Sequence, residues 1–294
     1  MTDPAVDRCE LIRALGAVAD CPQAARTTAS ALGLAAPSDA ELTDVFVLNL
    51  PPYAAVYLGP DGALGGEGAD RVAGFWRVLR IDPPTEPDHL SALLGLYASL
   101  GEAVAAARRP ATRAALARTR ATLFWEHLQP WLPGYLEALT DLPAPTLATW
   151  AVLLRQVMSA EAARQPAMPA LPLALRSAPP GLDLSQGAEL RETTAALTTP
   201  IRSGIILTRH RVALGARQAG VGHRVGERRF ALQAMIEQDP RGTLAWLAAE
   251  ALRWQRRHRS RGTDAATQWW ADRAGRTGLL LHAALGTEAD RVVT

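Results

Sequence analysis

Pro83-Pro84-Thr85-Glu86-Pro87-Asp88-His89-Leu90 stands directly before a long apolar run, and its reading decides the fold. A residue that precedes a proline is pushed out of the helical region, so the three prolines hold the chain extended. Asp88 then falls where a helix N-cap is wanted, its carboxylate able to accept from the free amides of the first turn. Leu90, Leu93, Leu94, Tyr97 and Leu100 follow at helical spacing, which predicts a helix with one face turned inward. The result is a rigid polar knuckle carrying Glu86, Asp88 and His89 at the mouth of a helix. Taken alone, it reads most simply as a helix start beside a surface histidine.

Outward from this knuckle the chain is helical in both directions. Of its 294 residues 48% are hydrophobic and mean hydropathy is near zero, which suits a sizeable buried core. Alanine, leucine and arginine dominate, all good helix formers. Helices are expected before and after the break at Cys21-Pro22, over Glu41–Leu50, over Ala69–Leu79 with Phe75 and Trp76, and over Ala111–Leu128 with Phe124, Trp125 and His127. Further helices are expected over Trp131–Leu139 and Thr146–Arg164. Tyr53–Gly62 reads as a short extended piece entering a turn rich in glycine (Gly59, Gly62, Gly65, Gly66, Gly68). That turn lacks the Gly-Lys-Ser/Thr context of a phosphate loop. From 166 to 199 the chain carries Pro166, Pro169, Pro172, Pro179 and Pro180 with Gly181 and Gly187, and Pro200 follows. Prolines at that density predict a linker or strap without regular elements.

Beyond the linker the charge changes sign. Residues 1–199 hold 15 arginines against 21 acids, whereas 200–294 hold 16 arginines against 8 acids. The net charge of +2 therefore covers an acidic body and a basic extension. Helices are expected there over Leu207–Gly220, Val225–Gln238, Thr243–Arg259 and Ala265–Leu285. Residues 205–236 can be drawn as a helix-turn-helix with Arg224, Arg228 and Arg229 on the second helix, the pattern of a DNA-binding regulator. The acidic first half argues against nucleic acid as a partner.

The residue inventory excludes several chemistries. All 31 basic residues are arginine, so no phosphate-loop lysine and no Schiff-base lysine exist. There is no Gly-x-Ser-x-Gly elbow and no His-Glu-x-x-His pair. Glu86 and His89 form one Glu-x-x-His pair, but a carboxylate-bridged di-iron bundle needs two. Cys9 and Cys21 are too few for a disulfide framework or a zinc quartet. No apolar run of roughly 18 residues occurs. Met1-Thr2-Asp3-Pro4 lacks the features of a secretory leader, so a cytoplasmic location is expected.

Several segments together resemble the TorD/DmsD/NarJ family, cytoplasmic chaperones that mature molybdenum-dependent redox enzymes. They are Pro51-Pro52-Tyr53-Ala54-Ala55-Val56-Tyr57-Leu58 before a glycine turn, Phe75-Trp76, Glu86-Pro87-Asp88-His89-Leu90, and Phe124-Trp125-Glu126-His127-Leu128-Gln129-Pro130-Trp131. The resemblance covers roughly residues 5–165. The motif is compact, with no residue between Pro87 and Asp88, and the aromatic-x-x-Leu-Phe signature expected early in the family is absent. The resemblance implies an all-α protein: a single TorD-like helical bundle over 1–165, a Pro-rich linker over 166–199 and a basic helical extension over 200–294. It implies no catalysis and no tightly bound cofactor. The partner would be the apo catalytic subunit of a molybdopterin oxidoreductase with its twin-arginine leader, the client carrying molybdopterin guanine dinucleotide, and the chaperone a monomer or dimer outside the membrane. Carried onto this sequence, Glu86, Pro87, Asp88 and His89 fall on the leader-binding motif. Paired arginines suit carboxylates in fork geometry. An apolar leader segment suits an aromatic groove, for which Tyr53, Tyr57, Trp76 and Trp131 are the candidates.

Overall fold

The computed structural model describes residues 4–166, 168, 170–184 and 189–292; Pro169 and Gly187 of the Pro-rich stretch lie outside them. The described chain is all-α, with π-helical turns at Thr43–Asn49 and Phe124–Leu128. Its one extended pairing is an antiparallel bridge between Tyr53 and His89. No described helix is long and apolar enough to cross a membrane. The chain divides into two compact units, 1–55 with 64–174 and 56–63 with 175–294.

The first unit is built on the apolar helix Leu90–Ala106, whose Leu90, Leu93, Leu94, Tyr97 and Leu100 are buried as their spacing requires. Helix Pro4–Ala17 lies against it at very close range. A Cβ on Gly101 would come 2.5 Å from Cys9 Sγ, and one on Gly16 would come 3.0 Å from Leu94 Cβ. Helix Pro110–Leu123 packs on Leu90–Ala106 through an ionic group around Glu161, a carboxylate only 1% exposed. It receives Arg120 at 2.8 Å, Arg8 at 3.1 Å and the Tyr97 hydroxyl at 2.9 Å, and Gln165 donates to that hydroxyl in turn. Three partners around one buried acid offset the cost of removing it from water.

Two local expectations are corrected here. Ala54–Leu58 is a short helix rather than an extended piece, and its N-terminus is capped from a distance by Asp88. Accordingly Asp88 does not cap Leu90–Ala106. His89 does, its Nδ1 accepting from the Ser91 amide at 3.3 Å. The carboxylate is drawn across to the chain that lies beside it.

The second unit centres on the hairpin of Pro240–Arg261 and Ala265–Val292. Asp264 starts the second of these, accepting from the Thr267 amide at 3.1 Å. Gly204 has a φ of 77°, and a Cβ there would run into the backbone of Ala274. Within the expected linker, Leu190–Thr198 is helical and buries Thr194, Ala196 and Leu197. The proline-free run from 181 to 199 gives that helix room to form, so proline density over the whole stretch misled. Residues 220–227 separate helices Arg209–Ala219 and Arg228–Gln238. That connection is longer than the three or four residues of a helix-turn-helix. Arg228 is turned to the Leu207 carbonyl at 2.9 Å rather than outward.

Candidate peptide-binding site

The knuckle is a layered cluster. Its base is Asp88, 2% exposed. One carboxylate oxygen accepts from the Ala55 amide at 2.9 Å, while the Asp88 carbonyl accepts from the Ala54 amide at 3.0 Å. The Leu90 amide donates to Pro52 at 2.8 Å, which completes the clamp between 52–55 and 88–90. Prolines on both strands of this clamp fix the backbone before any side chain is placed. Burial pushes the Asp88 carboxyl above its usual range, opposed by the amide it accepts from.

His89 forms the middle layer, buried and in edge contact with the Tyr53 ring at 4.7 Å. Its Nδ1 lies 2.7 Å from the Ser91 hydroxyl, which in turn donates to Asp20 at 3.1 Å. Burial lowers the imidazole below its ordinary value, although Glu86, Asp20 and Asp88 all pull the other way. The outer layer is Glu86, exposed, its Oε1 accepting from the Tyr53 hydroxyl at 2.9 Å. Burial, then the bond to Glu86, pushes the Tyr53 phenol up to about 12, so it stays a donor at neutral pH.

Of the residues chosen from sequence, Tyr53, Glu86, Pro87, Asp88 and His89 come together. Trp76 is buried beneath them, its indole donating to the Pro87 carbonyl at 3.3 Å. Trp131 is 2% exposed and bonded to the His127 carbonyl, a core residue of the first unit. Tyr57 is buried in the second unit, where Arg228 is its charged neighbour. Two participants were not chosen: Ser91, and Asp20 at the exposed turn before Cys21. Asp20 is 71 residues from Ser91 in sequence, and no spacing rule joins them. At the end of the helix that carries Trp76, Val78 is 80% exposed and Ile81 is exposed too, its amide donating to the Trp76 carbonyl. Among the described residues no group of three or more His, Cys, Asp or Glu side chains is gathered to hold a metal.

The arrangement presents two exposed carboxylates, Glu86 and Asp20, each tied to the same buried histidine, one through Tyr53 and one through Ser91. Chemically it suits cations with fork geometry. Residues 18–137 match the family described as Nitrate reductase delta subunit, a span that holds Asp20, Tyr53, Glu86, Asp88, His89 and Ser91 and leaves the basic extension outside. No curated protein matches the chain, and no solved structure does.

Proposed function

We propose that this chain, whose residues 18–137 belong to the nitrate reductase delta subunit family of NarJ/TorD-like chaperones, captures the twin-arginine leader of a molybdopterin oxidoreductase at the Glu86 knuckle. The family assists the maturation of molybdoenzymes and is not one of catalysts. The observation that carries the reading is the pair of exposed carboxylates, Glu86 and Asp20, locked to one rigid frame. Each leaves an oxygen for a guanidinium, and charge-assisted bonds of this kind are about twice as strong as neutral ones. Val78 and Ile81 offer the apolar leader segment a surface that the buried Trp76, Trp131 and Tyr57 do not. Held there, the apo catalytic subunit stays in the cytoplasm until its molybdopterin guanine dinucleotide is inserted. That cofactor is the client's.

The test is a titration of the full chain with a labelled twin-arginine leader, with a twin-lysine version as control. Because Asp88 is a buried cap, the informative reversals are Glu86→Arg and Asp20→Arg. Saturable binding that weakens with the lysine peptide, and at least about tenfold with either reversal at unchanged helicity, is expected. Parental affinity in both variants would move the site elsewhere. Failure to bind any leader would remove the leader reading itself.

A further inference from the structure

A second site of a different kind lies wholly within the second unit. A cavity of about 270 Å³ is lined by Gly181, Leu182, Arg273, Arg276, Thr277 and Leu280. Arg273 is held in place there by its Nη1 donating to the Pro179 carbonyl at 3.1 Å and by its stacking over Trp269 at 4.7 Å. Its Nε is buried without a hydrogen-bond partner. Gly181 is what lets it sit so close, since a Cβ there would come 3.0 Å from Nη1. Arg276 stands one helical turn on, so both guanidiniums share a face. Among the described residues neither makes an ion pair with a carboxylate. The charges that Arg273 does feel are Arg276 and Arg202, which together with burial lower its proton affinity. Arg202 is already paired, to Glu192 at 2.7 Å.

A half-buried guanidinium between like charges, at the wall of a cavity that a second arginine also lines, is an arrangement that an anion would stabilise. The donor count favours a phosphoryl group over a carboxylate. The Arg276 guanidinium together with the donors left on Arg273 matches the three acceptor oxygens and near-double charge of a phosphate better than the two oxygens of a monoanion. The volume corresponds to about nine waters, more than a bare phosphate fills, and Leu182 and Leu280 give an apolar wall. We propose that this cavity binds a phosphoryl dianion between Arg273 and Arg276, either free phosphate or a phosphomonoester with a small organic body.

Calorimetric titration of the full chain with glycerol 3-phosphate and with inorganic phosphate, against sodium chloride of matched ionic strength, tests this. Arg276→Gln is the variant, because Arg276 is exposed and its loss leaves the Arg273 frame intact. Arg256→Gln, an exposed arginine elsewhere on the hairpin, is the control. Saturable binding weakened tenfold or more by Arg276→Gln, and not by Arg256→Gln, is expected. Tighter binding of the ester identifies the organic phosphate as the source, and equal binding identifies free phosphate. Heats that match sodium chloride, or equal effects of the two variants, would overturn the proposal.

Discussion

Asp88 and Glu86 are two residues apart and do opposite work. Asp88 is sealed against the Ala55 amide, whereas Glu86 faces solvent under the Tyr53 hydroxyl. Their substitutions should therefore separate. Asp88→Ala removes a cap and should cost about 1–2 kcal/mol in urea unfolding, while Asp88→Asn, which keeps an acceptor oxygen, should cost much less. Glu86→Gln should leave the unfolding midpoint within about 0.5 kcal/mol of the parent, as expected for an exposed side chain. A midpoint that drops equally for Glu86→Gln and Asp88→Ala would contradict this division. Sequence placed both acids at the knuckle, but local rules alone put Asp88 on the wrong helix. Its partner amide is 33 residues away, and no spacing rule carries that information.

At the scale of elements, the pairing of Pro4–Ala17 with Leu90–Ala106 depends on the missing side chains at Gly16 and Gly101. Gly101→Ala would improve helix propensity by about 1 kcal/mol in isolation. In the packed pair the new methyl meets Cys9 Sγ, and overpacking of that kind costs about 1–3 kcal/mol. A net loss of stability is expected by thermal melting, and a gain would mean the helices sit farther apart. Glu161 makes the stronger case. Glu161→Ala leaves Arg8 and Arg120 beside a buried gap, and breaking such a group typically costs about 3–5 kcal/mol. Glu161→Gln, which keeps the shape and an acceptor, should fall between the parent and Glu161→Ala.

Over the whole molecule, acid sensitivity has a source in each unit. His127, in the first unit, is held down to about 4 by burial with Arg71 nearby. His258, in the second, is held to about 3 by burial and by Arg261, its Nε2 lying 2.9 Å from the Gly204 carbonyl. An unfolded histidine takes up its proton near 6.5, whereas these two do not, so below that value the unfolded chain binds more protons. Stability from both groups is full above pH 6.5 and falls as the pH drops toward 4. The raised carboxyl of Asp88 works in the opposite sense, since its burial cost is relieved when it is protonated. Urea unfolding at pH 7.5 and pH 5 should show this loss, and His127→Phe should flatten the pH slope of the first unit's transition. A parental slope in that variant would assign the acid response elsewhere.

The sequence by itself determined the all-helical class, the inward face of Leu90–Ala106, the clustering of Glu86, Asp88 and His89, and the resemblance that the family match over 18–137 supports. Each of these is a property of neighbours along the chain: periodicity, proline placement, a short motif. Only the tertiary structure decided that Asp88 caps Ala54–Leu58, that Asp20 and Ser91 join the knuckle, that Trp131 and Tyr57 are interior, and that Arg273 and Arg276 share a cavity with Gly181. These depend on which distant segments are brought together. Burial and pairing energies are set by that juxtaposition, which helical periodicity does not encode.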